Sequence, residues 1–432
     1  MEDTSKIIEW WQKDQGREAR LRRRKIIRLA ILGIVLILLI LVGFYFFTDF
    51  LSRPIQNLNS NSKPQEWAMF GRDLSHASVV DAVAPEIQGK VTRILSTGEI
   101  IHSSPVVAGN LIYVGSRNGI FYALNRDTGE KVWEFATGSW VESSPAVVNE
   151  TVYFGSNDGF FYALDALTGK KLWDFHTKYP VKSSPAVVEN MVYFGCDDFS
   201  IYAVNAVNGK LVWKVETSDS VSSSPVVANG IVYAGSMDGF FYAIDARSGR
   251  VRLRFPTNRP IISSPVVKDE TVFFNTSNGI LYAIDGKAKN WLWENKIRPN
   301  WMVLYLYGAA PQPPPPSGFL WTINFNSATT SSPVISGNNL FLGIGTRIVS
   351  VDINSHTKQW EFAADRLFSS PPIVLNERLY AANENGHLYI LDANSGSKLM
   401  DIQVGGKITS LPVIAESTIY ISSEDGNLYA IN

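Results

Sequence analysis

The side chains in this 432-residue chain that could do chemistry are five histidines, one cysteine, a series of Ser-Ser pairs and a series of aspartates. His76, His102, His176, His356 and His387 lie in different stretches, with no metal-ligand spacing between them. Cys196 stands alone, which excludes an intramolecular disulfide framework and a multi-cysteine metal site. The Ser-Ser pairs recur along the chain, whereas a nucleophile is needed once. Asp165, Asp245, Asp285, Asp352 and Asp392 also recur, each at the end of an apolar run, as turn caps do. Asp158, Asp238 and Asp425 precede glycine in tight-turn text, and Asp127-Thr128-Gly129 reads as a turn rather than a phosphate loop. No catalytic, cofactor-binding or metal-binding residue is predicted, and no cofactor.

The recurrence itself sets the architecture. Ser-Ser-Pro ends at Pro105, Pro145, Pro185, Pro225, Pro265, Pro333 and Pro371, with a degenerate copy at Ser410-Leu411-Pro412. The first five copies are 40 residues apart, and the later gaps are 68, 38 and 41. Each full unit holds three short apolar segments and a fourth that in five units carries tryptophan, separated by turns such as Asn157-Asp158-Gly159. Four strands of about five residues plus turns fill about 40 residues, which is one propeller blade. The third strand alternates large and small, as in Tyr162-Ala163, so blades can nest; Trp133, Trp173, Trp213, Trp321 and Trp360 fill space between them. The chain stops at Asn432 without a fourth strand in the last unit. Lys90–Thr97, with Arg93 and Leu95 aligned to Trp133 and Phe135, is free to supply it. The expected fold is all-β: an eight-bladed β-propeller of four-stranded antiparallel blades, closed by an N-terminal strand and preceded by one transmembrane helix.

That helix is Leu29–Phe47, 19 uncharged residues that would span about 28 Å at 1.5 Å each. Arg17, Arg20, Arg22, Arg23, Arg24, Lys25 and Arg28 precede it, which predicts a cytoplasmic N-terminus and an extracytoplasmic propeller. A cleaved signal peptide is the competing reading, but no small-x-small site follows Phe44-Tyr45-Phe46-Phe47. The expected organisation is a basic tail (1–28), a signal-anchor (29–47), a linker (48–66) and the propeller (67–432). Net charge of −1 gives no bulk attraction for nucleic acid.

The repeats resemble those of pyrroloquinoline-quinone (PQQ) dehydrogenase-type propellers, and Trp67-Ala68-Met69-Phe70-Gly71-Arg72-Asp73 resembles the N-terminal lead-in strand of that superfamily. The resemblance implies the fold over about 67–432. For activity it implies either of two things. One is quinoprotein chemistry, with a calcium-bound quinone in the central funnel, a catalytic aspartate and commonly two adjacent cysteines. The other is a non-catalytic propeller such as the assembly subunit BamB. A single cysteine excludes the vicinal disulfide, and the aspartates repeat instead of clustering. The expectation is therefore a BamB-like, non-enzymatic scaffold for an envelope protein partner. PQQ and calcium belong to the alternative, a dehydrogenase or a ligand-sensing ectodomain.

The 68-residue gap is where the repeat breaks, so specific function is expected there. Trp293 and Trp321 both fit the fourth-strand slot; Trp321 is preferred because Glu294-Asn295-Lys296 is too polar for a blade strand. The predicted insertion is then a loop at about 286–320. Its candidate partner-binding residues are Trp301, Met302, Leu304, Tyr305, Leu306 and Tyr307, followed by Pro313, Pro314, Pro315 and Pro316. Three readings stand: burial against the propeller, a docking surface for a protein, and contact with the outer membrane leaflet.

Overall fold

The computed structural model describes residues 32–37, 70–71, 79–80 and 87–432. Residues 32–37 are helical and exposed; the rest of the expected anchor Leu29–Phe47, the basic tail 1–28 and the linker 48–66 lie outside the described residues. Among the described residues no helix is long and apolar enough to cross a membrane.

Residues 87–432 form eight antiparallel blades of four strands. Blade 2 shows the unit: Ala146–Val148, Thr151–Gly155, Phe160–Asp165 and Lys171–His176 pair in sequence order. Its second and third strands are almost wholly buried, and its outermost strand alternates between partly buried and exposed. Asp165 is the turn cap that its recurrence predicts: its carboxylate accepts from the Thr168 hydroxyl at 2.7 Å and the Thr168 amide at 2.8 Å. Those donors hold Asp165 below the usual carboxylate range. Asp158 accepts from the Phe160 amide at 3.0 Å and the Tyr162 hydroxyl at 2.8 Å, which locks the hairpin.

Four of the junctions between blades share one aromatic device. The Trp173 indole N–H donates to the Ala206 carbonyl of the next blade at 2.9 Å, and the ring lies where a Cβ on Gly209 would stand, 2.6 Å from it. Gly209 has φ +68, so both its conformation and the tryptophan require glycine. The same pairs are Trp133 with Gly169, Trp213 with Gly249 and Trp360 with Gly396. Phenylalanines stack between the same blades, Phe121 on Phe154 at 4.0 Å and Phe161 on Phe194 at 4.3 Å.

Closure occurs as the sequence predicts. Val91–Ser96 pairs antiparallel with Asn427–Ile431 and completes blade 8. The detailed alignment differs: Thr92, not Arg93, faces Ala430, the partner that Trp133 has in Ala123. A bulge between Arg93 and Leu95 restores Leu95 to the Phe135 position, and Ile94 takes the place of the tryptophan against Gly129. A second correction concerns Pro371. The inner strand of blade 7 starts at Ile373, directly after Pro372, so Pro372 is the strand-opening proline and Pro371 fills the second serine's slot. The lead-in around Trp67–Asp73 is described only at Phe70 and Gly71, which form a turn. The added strand is Val79–Val80, parallel to Ile373–Leu375 on the inner edge of blade 7.

Candidate functional site

Two places escape the repeat. The first is the mouth of the central channel, where the serine pairs converge. The second serine of each pair accepts the amide of its counterpart one blade back: Ser104 to Ser144 at 2.9 Å, Ser144 to Ser184 at 3.1 Å and Ser184 to Ser224 at 3.0 Å. The relay continues through Ser264 to Ser332 and resumes from Leu411 to Ser104; it is interrupted at Pro371, which has neither amide hydrogen nor hydroxyl. These serines are committed to holding the inner ring, which is why they recur.

The residue just before each pair varies around the ring, and in every blade but the third it lines a cavity of about 570 Å³. Blades 4 to 6 contribute Ser222, Ile262 and Thr330. Blades 7, 8, 1 and 2 contribute a charged arc with Glu384, Lys407, Glu424, His102 and Glu142. The arc is internally matched: Arg117 clamps Glu142 at 2.5 Å, and Lys407 reaches Glu424 at 3.3 Å and Glu384 at 3.6 Å. Burial opposes ionisation of Glu142, but hydrogen bonds from Asn157 and Arg117, with the Arg117 charge, hold it below the usual carboxylate range. Burial and then the Arg117 charge lower His102.

The remaining candidates for chemistry are structural. His176 lies against Phe160, His356 stacks on Trp321 at 4.7 Å, and His387 bonds Asp401 at 2.7 Å; His76 is outside the described residues. Among the described residues no cluster of three His, Cys, Asp or Glu side chains is fit to hold a metal. Cys196 is fully buried in blade 3, and burial pushes its thiol up to about 12. A thiolate is the reactive form, so a thiol-specific dye is expected to react with the native protein far more slowly than with the protein in denaturant. Equal rates would contradict that placement.

The second place is the insertion. Trp321 occupies the fourth strand of blade 5, Phe319–Asn324, opposite Ala283, as the sequence reading prefers. The residues between Asp285 and Phe319 are not the expected loop: Glu294–Leu306 is a 13-residue helix, and the proline run returns beside it. The polar residues that argue against a strand build its foundation. Glu294 is buried and accepts from the Ser317 amide and hydroxyl, each at 2.7 Å, and from Asn290 at 2.8 Å. Asn290 and Asn295 bond the backbone of Arg252 and Arg254, tying the insertion to the outer strand of blade 4, Val251–Pro256. The Trp301 indole donates to the Pro311 carbonyl at 2.8 Å and Arg298 to the Pro314 carbonyl at 3.0 Å, so helix and prolines form one hairpin.

This hairpin encloses an open groove of about 810 Å³ lined by Trp293, Ile297, Asn300, Trp301, Leu304 and Pro311. Of the predicted residues, Trp301 and Leu304 line it, Trp301 and Met302 are partly buried, and Pro313 is buried. Leu304, Tyr305, Leu306 and Tyr307 are exposed, as are Pro314 and Pro315, and Pro316 is partly buried. The apolar run is therefore not covered by the propeller. Trp293, weighed in the sequence only for a blade strand, and Ile297 are groove residues that the sequence reading does not place here; their helical spacing with Trp301 and Leu304 is the available signal.

Comparisons with known proteins agree with the ring. A family model described as the β-propeller of the beta-alanine-activating enzyme matches residues 101–300, and one described as outer membrane protein assembly factor BamB matches 315–432. Neither reaches 301–314, inside the insertion. Similar solved structures include BamB from Moraxella catarrhalis (17% identity, TM-score 0.61, covering 79% of this chain and 98% of that one). The quinohemoprotein alcohol dehydrogenase from Comamonas testosteroni is similar at 13% identity and TM-score 0.68, covering 86% and 81%. The computationally designed Ika8 protein is similar at 14% identity and TM-score 0.65, covering 78% and 98%. No curated protein matches the sequence. An assembly factor, an oxidoreductase and a design share this wheel, so the likeness speaks for the fold. Repeat text, blade pairing and the assembly-factor family match over residues 315–432 together support a PQQ-type β-propeller family for this chain.

Proposed function

We propose that the chain is a membrane-tethered, extracytoplasmic propeller that works as a non-catalytic interaction scaffold and holds a protein partner in the groove of its insertion. The observation that carries this reading is the groove itself. Trp293, Ile297, Trp301 and Leu304 present an apolar seam on one helix face, and nothing in the repeated blades needs it there. A seam at this spacing suits an amphipathic segment of a partner. The tether is Leu29–Phe47, flanked on its N-terminal side by arginines. The BamB likeness supports the scaffold role, since the name of that relative is that of an assembly factor.

The dehydrogenase likeness favours the rival reading, but the channel residues do not fit a calcium-bound quinone. The acidic side chains at the mouth are already matched by Arg117 and Lys407, and the one cysteine is buried in a blade. The reading is tested by cross-linking and pull-down from native membranes, comparing the natural chain with Ile297→Asp. A charge in an apolar seam that anchors a partner is expected to weaken recovery by about 30-fold, the loss of one hot spot of about 2 kcal/mol. Unchanged recovery removes the groove from the proposal. Stoichiometric uptake of PQQ with calcium, together with alcohol oxidation, overturns the scaffold reading in favour of the enzyme.

A further inference from the structure

The end of the insertion helix differs in kind from its groove face. Val303, Leu304, Tyr305, Leu306 and Tyr307 are 50, 51, 39, 75 and 84% exposed. Five successive residues at 100° each sweep the whole circumference of a helix. The tip is thus apolar all round, a convex projection and not a stripe. A protein surface covers one face of such a projection; a fluid apolar medium covers all of it.

The composition matches that medium at its boundary with water. Tyr305 and Tyr307 carry a polar tip on an apolar ring, the chemistry enriched where hydrocarbon meets headgroups. The charges sit behind the tip. Between Gly286 and Gly318 there are four cations, Lys287, Lys289, Lys296 and Arg298, of which Lys287 is paired with Glu270 of blade 5, and one carboxylate, Glu294, which is buried and committed to Ser317 and Asn290. Arg298 precedes Tyr307 by nine residues, about 13 Å along a helix at 1.5 Å per residue. An apolar tip that enters the acyl boundary by about 5–10 Å would therefore bring Arg298, and Lys296 behind it, towards the level of the phosphates.

We infer that the Val303–Tyr307 tip is a membrane wedge that seats in the interface of an anionic bilayer. This goes beyond the scaffold reading, on which it rests only for the tether: the wedge would fix the height and orientation of the wheel, with the groove, which shares Leu304 with the tip, opening beside it along Trp293, Ile297 and Trp301.

The test uses the full chain with Tyr307→Cys, labelled with an environment-sensitive fluorophore and mixed with vesicles of phosphatidylcholine and phosphatidylglycerol. Leu167→Cys, on an exposed turn of blade 2, is the reference site, and buried Cys196 contributes no label. The label at residue 307 is expected to shift to the blue, to brighten several-fold and to be quenched by headgroup-proximal nitroxide lipids. Lys296→Glu and high salt are expected to weaken the response. Identical spectra at 307 and 167 overturn the wedge, whether or not the chain floats with the vesicles. Failure to float sinks the tether alone. A shift that needs added membrane protein, or that depends on protein concentration and not on lipid, overturns the wedge in favour of a protein partner or a second copy.

Discussion

Deleting residues 88–97 is expected to unfold or aggregate the propeller under conditions where the intact chain is monodisperse. The lost strand, Val91–Ser96, partly buries Val91, Ile94 and Leu95 against blades 8 and 1. Three partly buried aliphatic side chains are worth about 4 kcal/mol, a large part of the roughly 5–15 kcal/mol by which folded proteins are stable. The deletion also turns Asn427–Ile431 into an unpaired edge, a template for edge-to-edge association. Thermal melting by circular dichroism and size exclusion check this result. A peptide spanning 87–97, added in trans, should restore the midpoint if closure is the cause. A deleted chain that melts at the parental temperature contradicts the seam described above.

The second large effect is expected at the junction of blades 3 and 4. Trp213 is 7% exposed, and its indole N–H donates to the Ala246 carbonyl at 2.8 Å. Trp213→Ala removes that ring from a packed junction and is expected to cost about 3–5 kcal/mol. Gly249→Val attacks the same contact from the other side. Its φ is +70, and a Cβ there would stand 2.7 Å from the indole. Left-handed strain alone costs about 1–2 kcal/mol, and the clash adds to it. Combining Trp213→Ala with Gly249→Val should be clearly less destabilising than the sum, because the smaller residue relieves the clash. Strict additivity in denaturant titrations counts against the docking of indole on glycine. Blade 6 supplies a natural control. His356 has φ +58 in the glycine slot and stacks flat on Trp321, so a planar side chain fits where a branched one should not.

Why the wheel was legible follows from these contacts. A repeat exposes its constant residues, and here they recur because most blades use the same cap, hairpin lock and tryptophan dock, with Leu253, Met400 and Ile94 standing for the tryptophan in blades 4, 7 and 8. Asp165, Asp158 and Trp173 were all assignable from recurrence. So was the closing strand, since a missing fourth segment must come from somewhere. The misplacements came where the repeat is degenerate: Pro371 stands next to a second proline, and a bulge shifted Arg93 by one residue. The helix of the insertion was hidden for a different reason. Glu294, Asn295 and Lys296 look like loop text, and Pro299 lies within the helix, yet Glu294 is polar because it receives the Ser317 amide in a buried corner. No local propensity reports such a partner 23 residues away.

The serine relay around the channel runs one way, amide of one blade to hydroxyl of the next, and it is open at Pro371. A perfectly uniform wheel has no first blade, and a segment arriving from the N-terminal side would find eight equivalent docking edges. Here the proline pair marks blade 7, whose inner edge receives Val79–Val80. The break in the relay and the seat of Val79–Val80 therefore fall in the same blade, so the wheel departs from its symmetry where the N-terminal segment adds its strand.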